Sequence, residues 1–213
     1  MKESAPVRPR RSRARRGEGE RLKDDILDAA EGLLLRTGDE DAVSIRAVAE
    51  AVGVTPPSIY MHFRDKTELV FEVCRRNFEE FDRHMEEAAA RFEDPLESLM
   101  ARGRAYIEYG LERPEQYRIL FMIRPSKTPE EFDPAEIQDM VAFDHLVGAV
   151  DRCKAAGQLP DEDSVMISIG LWVVVHGIVS LFIAKSDFPW PDREALIQEI
   201  MSNYVEGLRR RIR

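Results

Sequence analysis

Between Ser164 and Ala184 the chain runs "SVMISIGLWVVVHGIVSLFIA", 21 residues without a formal charge. No other feature narrows the possible folds as much. A stretch this long and apolar either crosses a bilayer or is covered by protein. Asp161, Glu162 and Asp163 precede it, a single Lys185 follows, and His176 lies inside it. Nothing else in the 213 residues is apolar enough for a second span. A fully buried helix in a helical bundle is therefore the economical expectation.

The rest of the chain agrees with a bundle. Apolar residues recur at helical spacing almost throughout, and no strand pattern persists. Leu22, Ile26, Leu27, Ala30, Leu33 and Leu34 form one stripe, stopped by Gly38. A second short stripe contains Ile45, Val48, Ala49 and Val52. Asp65 with Glu68 opens a long helix running to about Ala90. "DPLE" at 94–97 and "DPAE" at 133–136 each place Asp at the cap, Pro at the first helical position and Glu two further on. Pro114 marks a break or restart, and 124–134 reads as a loop. Later helices are expected over roughly 134–156, 161–184 and 192–211. The prediction is an all-α chain of about nine helices, three of them short and before residue 64.

Charge is unevenly spread. The formal net charge is −9, yet residues 1–21 hold eight Lys/Arg against three Glu. A basic arm (Arg8 to Arg16) on an acidic body suits a polyanion binder, or a solubilising tail. Cys74 and Cys153 form no paired motif, which fits a reduced, cytoplasmic setting. His62, His84, His145 and His176 show no metal-ligand spacing with one another or with cysteine. No nucleophile motif or Gly-rich phosphate loop appears, so no enzyme activity and no cofactor are expected. The N-terminus lacks the apolar segment of a signal peptide.

Ser44 to Phe63 has the grammar of a helix-turn-helix. Ser44 caps a short helix with small residues at Ala47 and Ala49, and Gly53 supplies the turn. A second short helix then starts at "TPPS". With Thr55 as its cap, Pro56 and Pro57 fall at the first two helical positions, where no intrahelical donor is lost. Such a tip offers few amides to phosphate and a rigid apolar edge suited to thymine methyl groups. The prolines could equally serve only to fix the start of the helix.

"GVTPPSIYMHFRDKTEL" resembles the signature of the tetracycline-repressor (TetR) family of transcription regulators, carried by Gly53, Tyr60, Phe63, Lys66 and Leu69. "ILDAAEGLLLRTG" and "VSIRAVAEAVGV" resemble that family's first two helices. The resemblance implies a basic disordered arm over 1–19, a DNA-binding domain over 20–66 and a ligand-binding and dimerisation domain over 67–213. It implies phosphate contacts for Ser44, Arg46, His62 and Lys66, and groove contacts for Thr55, Pro56, Pro57, Ser58 and Tyr60. Ile59 and Phe63 would be core. Pro56 departs from the family pattern and puts direct base readout in doubt. The arm could reach a minor groove.

The family also implies a homodimer joined through its last two helices. Gly170, Val173, Gly177, Ser180 and Ala184 share one mostly small stripe that a partner helix could approach closely. On the final helix Ile197, Met201, Tyr204 and Leu208 belong to a broad apolar face. "GLWVVVHGIVSLFIA" resembles the family's regulatory domain type named for Trp, His and Gly, here Trp172, His176 and Gly177. That resemblance implies an inducer pocket, with Tyr106, Tyr109, Tyr117, Phe121, Phe143, Trp172 and His176 as candidate walls. The same aromatics could simply fill a core. The implied function is a ligand-responsive regulator, most simply a repressor, on a palindromic double-stranded DNA operator. A small-molecule-binding or scaffolding dimer with a vestigial head is the alternative.

Overall fold

The computed structural model describes residues 18–38, 43–121 and 138–212. The arm, the loop at 124–134 and the "DPAE" helix start lie outside the described residues. Among the described residues there are nine α-helices and no strand. They are α1 Glu18–Thr37, α2 Ile45–Val52, α3 Pro56–Ile59, α4 Lys66–Ala89, α5 Pro95–Glu112, α6 Pro114–Phe121, α7 Gln138–Ala155, α8 Ser164–Ala184 and α9 Arg193–Arg209. The all-α expectation holds, though α1 is a 20-residue helix and not a short one.

Helix ends sit where polar caps and prolines demand. Asp94 accepts the amides of Leu96 and Glu97 with Pro95 just inside, and Asp163 accepts those of Val165 and Met166. Asp65 accepts the Glu68 amide, while the Glu68 carboxylate reaches back to the Arg64 amide, one residue beyond the cap itself. α5 stops at Glu112, and Pro114 opens α6.

Two main apolar clusters result. In the head, Ile26, Ala30 and Leu34 of α1 meet Val48, Ile59, Phe63, Leu69 and Val73. Packing of the head thus runs past residue 66, through the first two turns of α4. In the body, Phe81 and Met85 of α4 meet Tyr106 and Tyr109 of α5, Val175, Ile178, Val179 and Phe182 of α8, and Ile197 and Met201 of α9. Burying one such large side chain stabilises by about 1.5–3 kcal/mol. A third, smaller cluster ties Leu99 to Val150, Cys153, Ile167 and Leu208.

α4 crosses from head to body, and Arg76 on it pairs with Asp28, at 2.7 Å, and Glu31 of α1. α6 also belongs to both halves. Its Ile119 is buried in the head cluster, whereas Tyr117 and Leu120 are buried in the body. At the α5–α8 crossing a Cβ on Gly110 would lie 2.5 Å from Val179 and 2.9 Å from Tyr117. Only glycine permits that approach.

The expectation of a fully buried α8 is not met. Ile167, Ser168, Val175, Ile178, Val179 and Phe182 turn inward. Met166, Ile169, Val173 and Leu181 are exposed along the opposite side. By length and composition α8 alone among the described helices could cross a membrane. Its inward residues instead pack on α5, α7 and α9.

Candidate functional site

Two places carry chemistry. The first is the tip of the head. Ser44 is the extended N-cap of α2, and its hydroxyl accepts the Ala47 amide at 3.1 Å. Gly53 takes φ 75° and ψ 30° after α2, the left-handed conformation that a side chain disfavours. Thr55 is the N-cap of α3, with Pro56 and Pro57 at its first positions as the sequence predicts. The Thr55 side chain makes no capping bond to an amide. The Thr55 hydroxyl bonds the Ser58 hydroxyl at 3.2 Å, and the Ser58 amide donates to the Thr55 carbonyl at 2.8 Å. With no amide on Pro57, the local turn is closed by the backbone.

The outcome is a short, stiff tip. Ile59 and Phe63 are buried beneath it, as expected of core residues. Arg46, Thr55, Pro57 and Tyr60 are exposed; Pro56, Ser58, His62 and Lys66 are half-buried. Met61 is 82% exposed beside Tyr60 and was not singled out from the sequence. An apolar residue between two polar-tipped aromatics reads as core, and only the backbone turn after Ile59 swings it outward.

The second place is a cavity of about 280 Å³ in the body, walled by α4, α5, α6, α7, α8 and α9. Of the seven expected wall residues, Tyr106, Phe121, Phe143 and Trp172 line it. Tyr109, Tyr117 and His176 do not. Tyr109 and Tyr117 are buried behind the wall, where Tyr109 meets Phe81 edge-on at 5.2 Å and Tyr117 lies 4.8 Å from Phe121. Met201 and Tyr204, expected at a dimer face, line the cavity instead. Ile197 and Leu208, also expected there, are buried in this chain's own clusters. α9 therefore turns its strongest apolar stripe inward. Gly170 likewise faces Tyr204, whose hydroxyl would sit 1.8 Å from an added Cβ.

Trp172 and His176 have a structural task. Trp172 Nε1 donates to Tyr106 Oη at 3.2 Å. Tyr106 Oη lies 3.0 Å from Tyr117 Oη, and Tyr117 Oη lies 2.6 Å from His176 Nδ1. Tyr106 Oη is also 3.0 Å from His176 Nδ1, so with Trp172 donating to Tyr106 either tyrosine can donate its proton to the other or to the histidine, and each arrangement leaves a neutral His176 that accepts on Nδ1. Desolvation supports it, pushing Tyr117 up to about 12 and His176 below its ordinary 6.5. A histidine with a lowered folded pKa binds its proton more readily when unfolded. Its contribution to stability is full above the ordinary value and is lost as pH falls toward the folded one. Melting temperature should therefore fall more between about pH 7.5 and 5.5 in the parent than in His176→Asn. Equal slopes would remove the neutral-acceptor assignment.

Beside the cavity, Asp82, Glu86 and His145 bring three potential ligand atoms within 4.8 Å of one another. Residue spacing holds no hint of this group, because His145 joins from α7. This group already has a cation: Glu86 is ion-paired to Arg102, and His145 Nδ1 is 2.9 Å from Asp82. Arg102 is only 3% exposed and lines the cavity. It was missed because arginine on a helix ordinarily marks a solvated face. The signal was its register, since Leu99, Arg102 and Tyr106 share one stripe.

Comparison with known proteins gives concordant matches. Residues 26–73 match a family profile described as bacterial regulatory proteins, tetR family. Residues 99–204 match one described as tetracyclin repressor-like, C-terminal domain. The chain is 25% identical over 189 residues to YobS, an uncharacterised HTH-type transcriptional regulator of Bacillus subtilis (strain 168), covering 86% of this chain and 90% of that one. A TetR family transcription regulator from Marinobacter aquaeolei VT8 superposes with a TM-score of 0.68 at 20% identity, over 89% of this chain and 96% of that one. The fatty acid degradation regulator FadR from Bacillus halodurans gives 0.70 at 18% identity, over 87% and 99%. These structural likenesses establish a shared fold.

Proposed function

We propose that this chain, which belongs to the tetracycline-repressor (TetR) family of bacterial transcriptional regulators, is a repressor that binds a palindromic operator as a homodimer and is released by a small apolar or aromatic ligand. The family consists of regulators and not enzymes. A DNA-binding regulator works in the cytoplasm, with the chromosome.

One observation carries the release reading. Phe121 stands in the cavity wall, and Ile119, on the same helix, is buried in the head. Ligand that displaces Phe121 moves α6, and α6 cannot move without disturbing head packing. α4 offers a second route, because Phe81 and Met85 line the cavity while Leu69 and Val73 hold the head. Head spacing on the two-fold dimer sets operator fit, so a shift of either helix weakens binding.

The dimer face needs redrawing from the sequence expectation. Val173 and Ala184 remain exposed, and among the described residues no side chain lies within 4 Å of a Cβ built on Gly177. Gly170 is covered by Tyr204, and the Ser180 hydroxyl oxygen is buried. The face we propose is Met166, Ile169, Val173, Gly177, Leu181 and Ala184 of α8, with Ile200 of α9.

At the head, Ser44, Arg46, His62 and Lys66 would hold phosphates. Thr55, Pro56, Pro57, Ser58 and Tyr60, joined by Met61, would meet the groove. Gel shift with DNA from upstream of the neighbouring genes tests the reading. Specific, salt-sensitive binding that weakens on adding a cavity ligand is expected. A ligand that fills the cavity and leaves operator affinity unchanged would end the release model. In the same assay Pro56→Gln and Pro57→Ala should change operator preference by about 1–3 kcal/mol per affected base pair. Unaltered preference would reduce the prolines to a helix start.

A further inference from the structure

We infer that Arg102 receives the carboxylate of an apolar monocarboxylic acid inside the body cavity, an inference that rests on reading that cavity as the effector site. α5 brings Arg102 to the wall between Leu99 and Tyr106. The side chain is 3% exposed, so its guanidinium has left bulk water. Nη2 is ion-paired with Glu86 of α4. Nε and Nη1 are buried without an acceptor. A buried cation with two unanswered donors is a costly arrangement that an anion relieves. Burial pulls this guanidinium down to about 10, against the opposing pull of Asp82. It remains charged at neutral pH.

The remainder of the chamber narrows the ligand. Its walls are mostly apolar, with Phe78, Phe81, Leu99 and Val175 among them. The polar groups of Tyr106 and Trp172 are already bonded to each other. A single cationic anchor in a mostly apolar chamber, with Asp144 the other charged residue of the lining, suits an apolar tail with a single acidic end. Asp82 and Glu86 stand beside the guanidinium and repel a second negative charge. A monoanion therefore fits better than a phosphate dianion. A cavity of about 280 Å³ is of the order that small-molecule sites have, and it suits a medium-chain or arylalkyl acid.

Calorimetric titration of the full chain with decanoate and with decan-1-ol separates the carboxylate from the tail. Decanoate should bind about tenfold or more tightly than decan-1-ol. Arg102→Met should lose about tenfold for decanoate and stay within about threefold for decan-1-ol. Glu86→Gln, which keeps the arginine and removes its counter-charge, should tighten decanoate severalfold. It serves if Arg102→Met does not fold. Decan-1-ol binding as tightly as decanoate, no binding of decanoate, or no response to either substitution overturns the inference. The two readings fail separately. Decanoate that binds through Arg102 without releasing operator defeats release alone. Operator release by other ligands, with decanoate inert, defeats the carboxylate alone.

Discussion

Val173→Asp is expected to turn the protein into a monomer and to lower its operator affinity by about a hundredfold or more. Val173 is 62% exposed in the middle of the outward face of α8. Met166 and Ile169 lie before it and Leu181 beyond it on the same side. An apolar row of this length on one helix is larger than a lone protein ordinarily leaves to water. A carboxylate placed there would be desolvated and unpaired at each pairing of the two copies. Val173 is not a member of the inner clusters, so the isolated chain should keep its helix content and most of its thermal stability. Loss of the second head removes the linked half-site contact, which is the source of the affinity drop. Sedimentation gives the mass, and anisotropy with labelled operator gives the affinity. A Val173→Asp protein that is still dimeric and still binds operator normally places the interface elsewhere.

Phe81→Ala should be the most destabilising single change near the cavity. Phe81 is 2% exposed and meets Tyr106, Tyr109 and Phe121 edge-on at 5.1, 5.2 and 5.7 Å. Truncating a phenylalanine in such a setting costs about 3–5 kcal/mol, from lost burial and from the void left behind. For a chain of this size that is a fall in melting temperature of roughly 6–20 °C. Phe81 also lines the cavity, so the void joins it. A bulkier apolar ligand should then bind the variant better than the parent. At a hundred times its dissociation constant it would restore about 2.7 kcal/mol. Thermal denaturation with and without ligand reads both effects. A shift below about 2 °C would mean that Phe81 is not the keystone of this aromatic cluster.

Legibility in the sequence followed local physics. Ser44, Gly53 and the Thr55–Pro57 run each act within a few residues, so the head could be read residue by residue. The same holds for Asp94 and Asp65 at their helix starts, whereas the helix expected from 161 begins only after Asp163. α8 was harder. When 21 consecutive residues are apolar, no periodicity tells the covered side from the open one. α9 failed for a related reason. Its apolar stripe is broad, and nothing in the pattern says whether Met201 and Tyr204 serve this chain or another. The aromatic set mixed wall and core because Tyr106 and Tyr109 lie three apart on one helix, both pack on Phe81, and only the tertiary fold decides that Tyr106 alone reaches the cavity. Arg102 depended on Glu86, a partner 16 residues away on another helix.

The placement of Ile119 bears on how such proteins can be recombined. The head looks like a detachable reading unit, contiguous in sequence up to Val73. Its interior is nevertheless finished by one side chain that the chain supplies some 45 residues later, from beside the cavity. A head transplanted onto a relative's body would inherit that body's residue at this position, and with it an unfamiliar plug. Compatibility between readers and sensors in this lineage should therefore be decided less at the covalent junction in α4 than at the small patch where α6 touches the head.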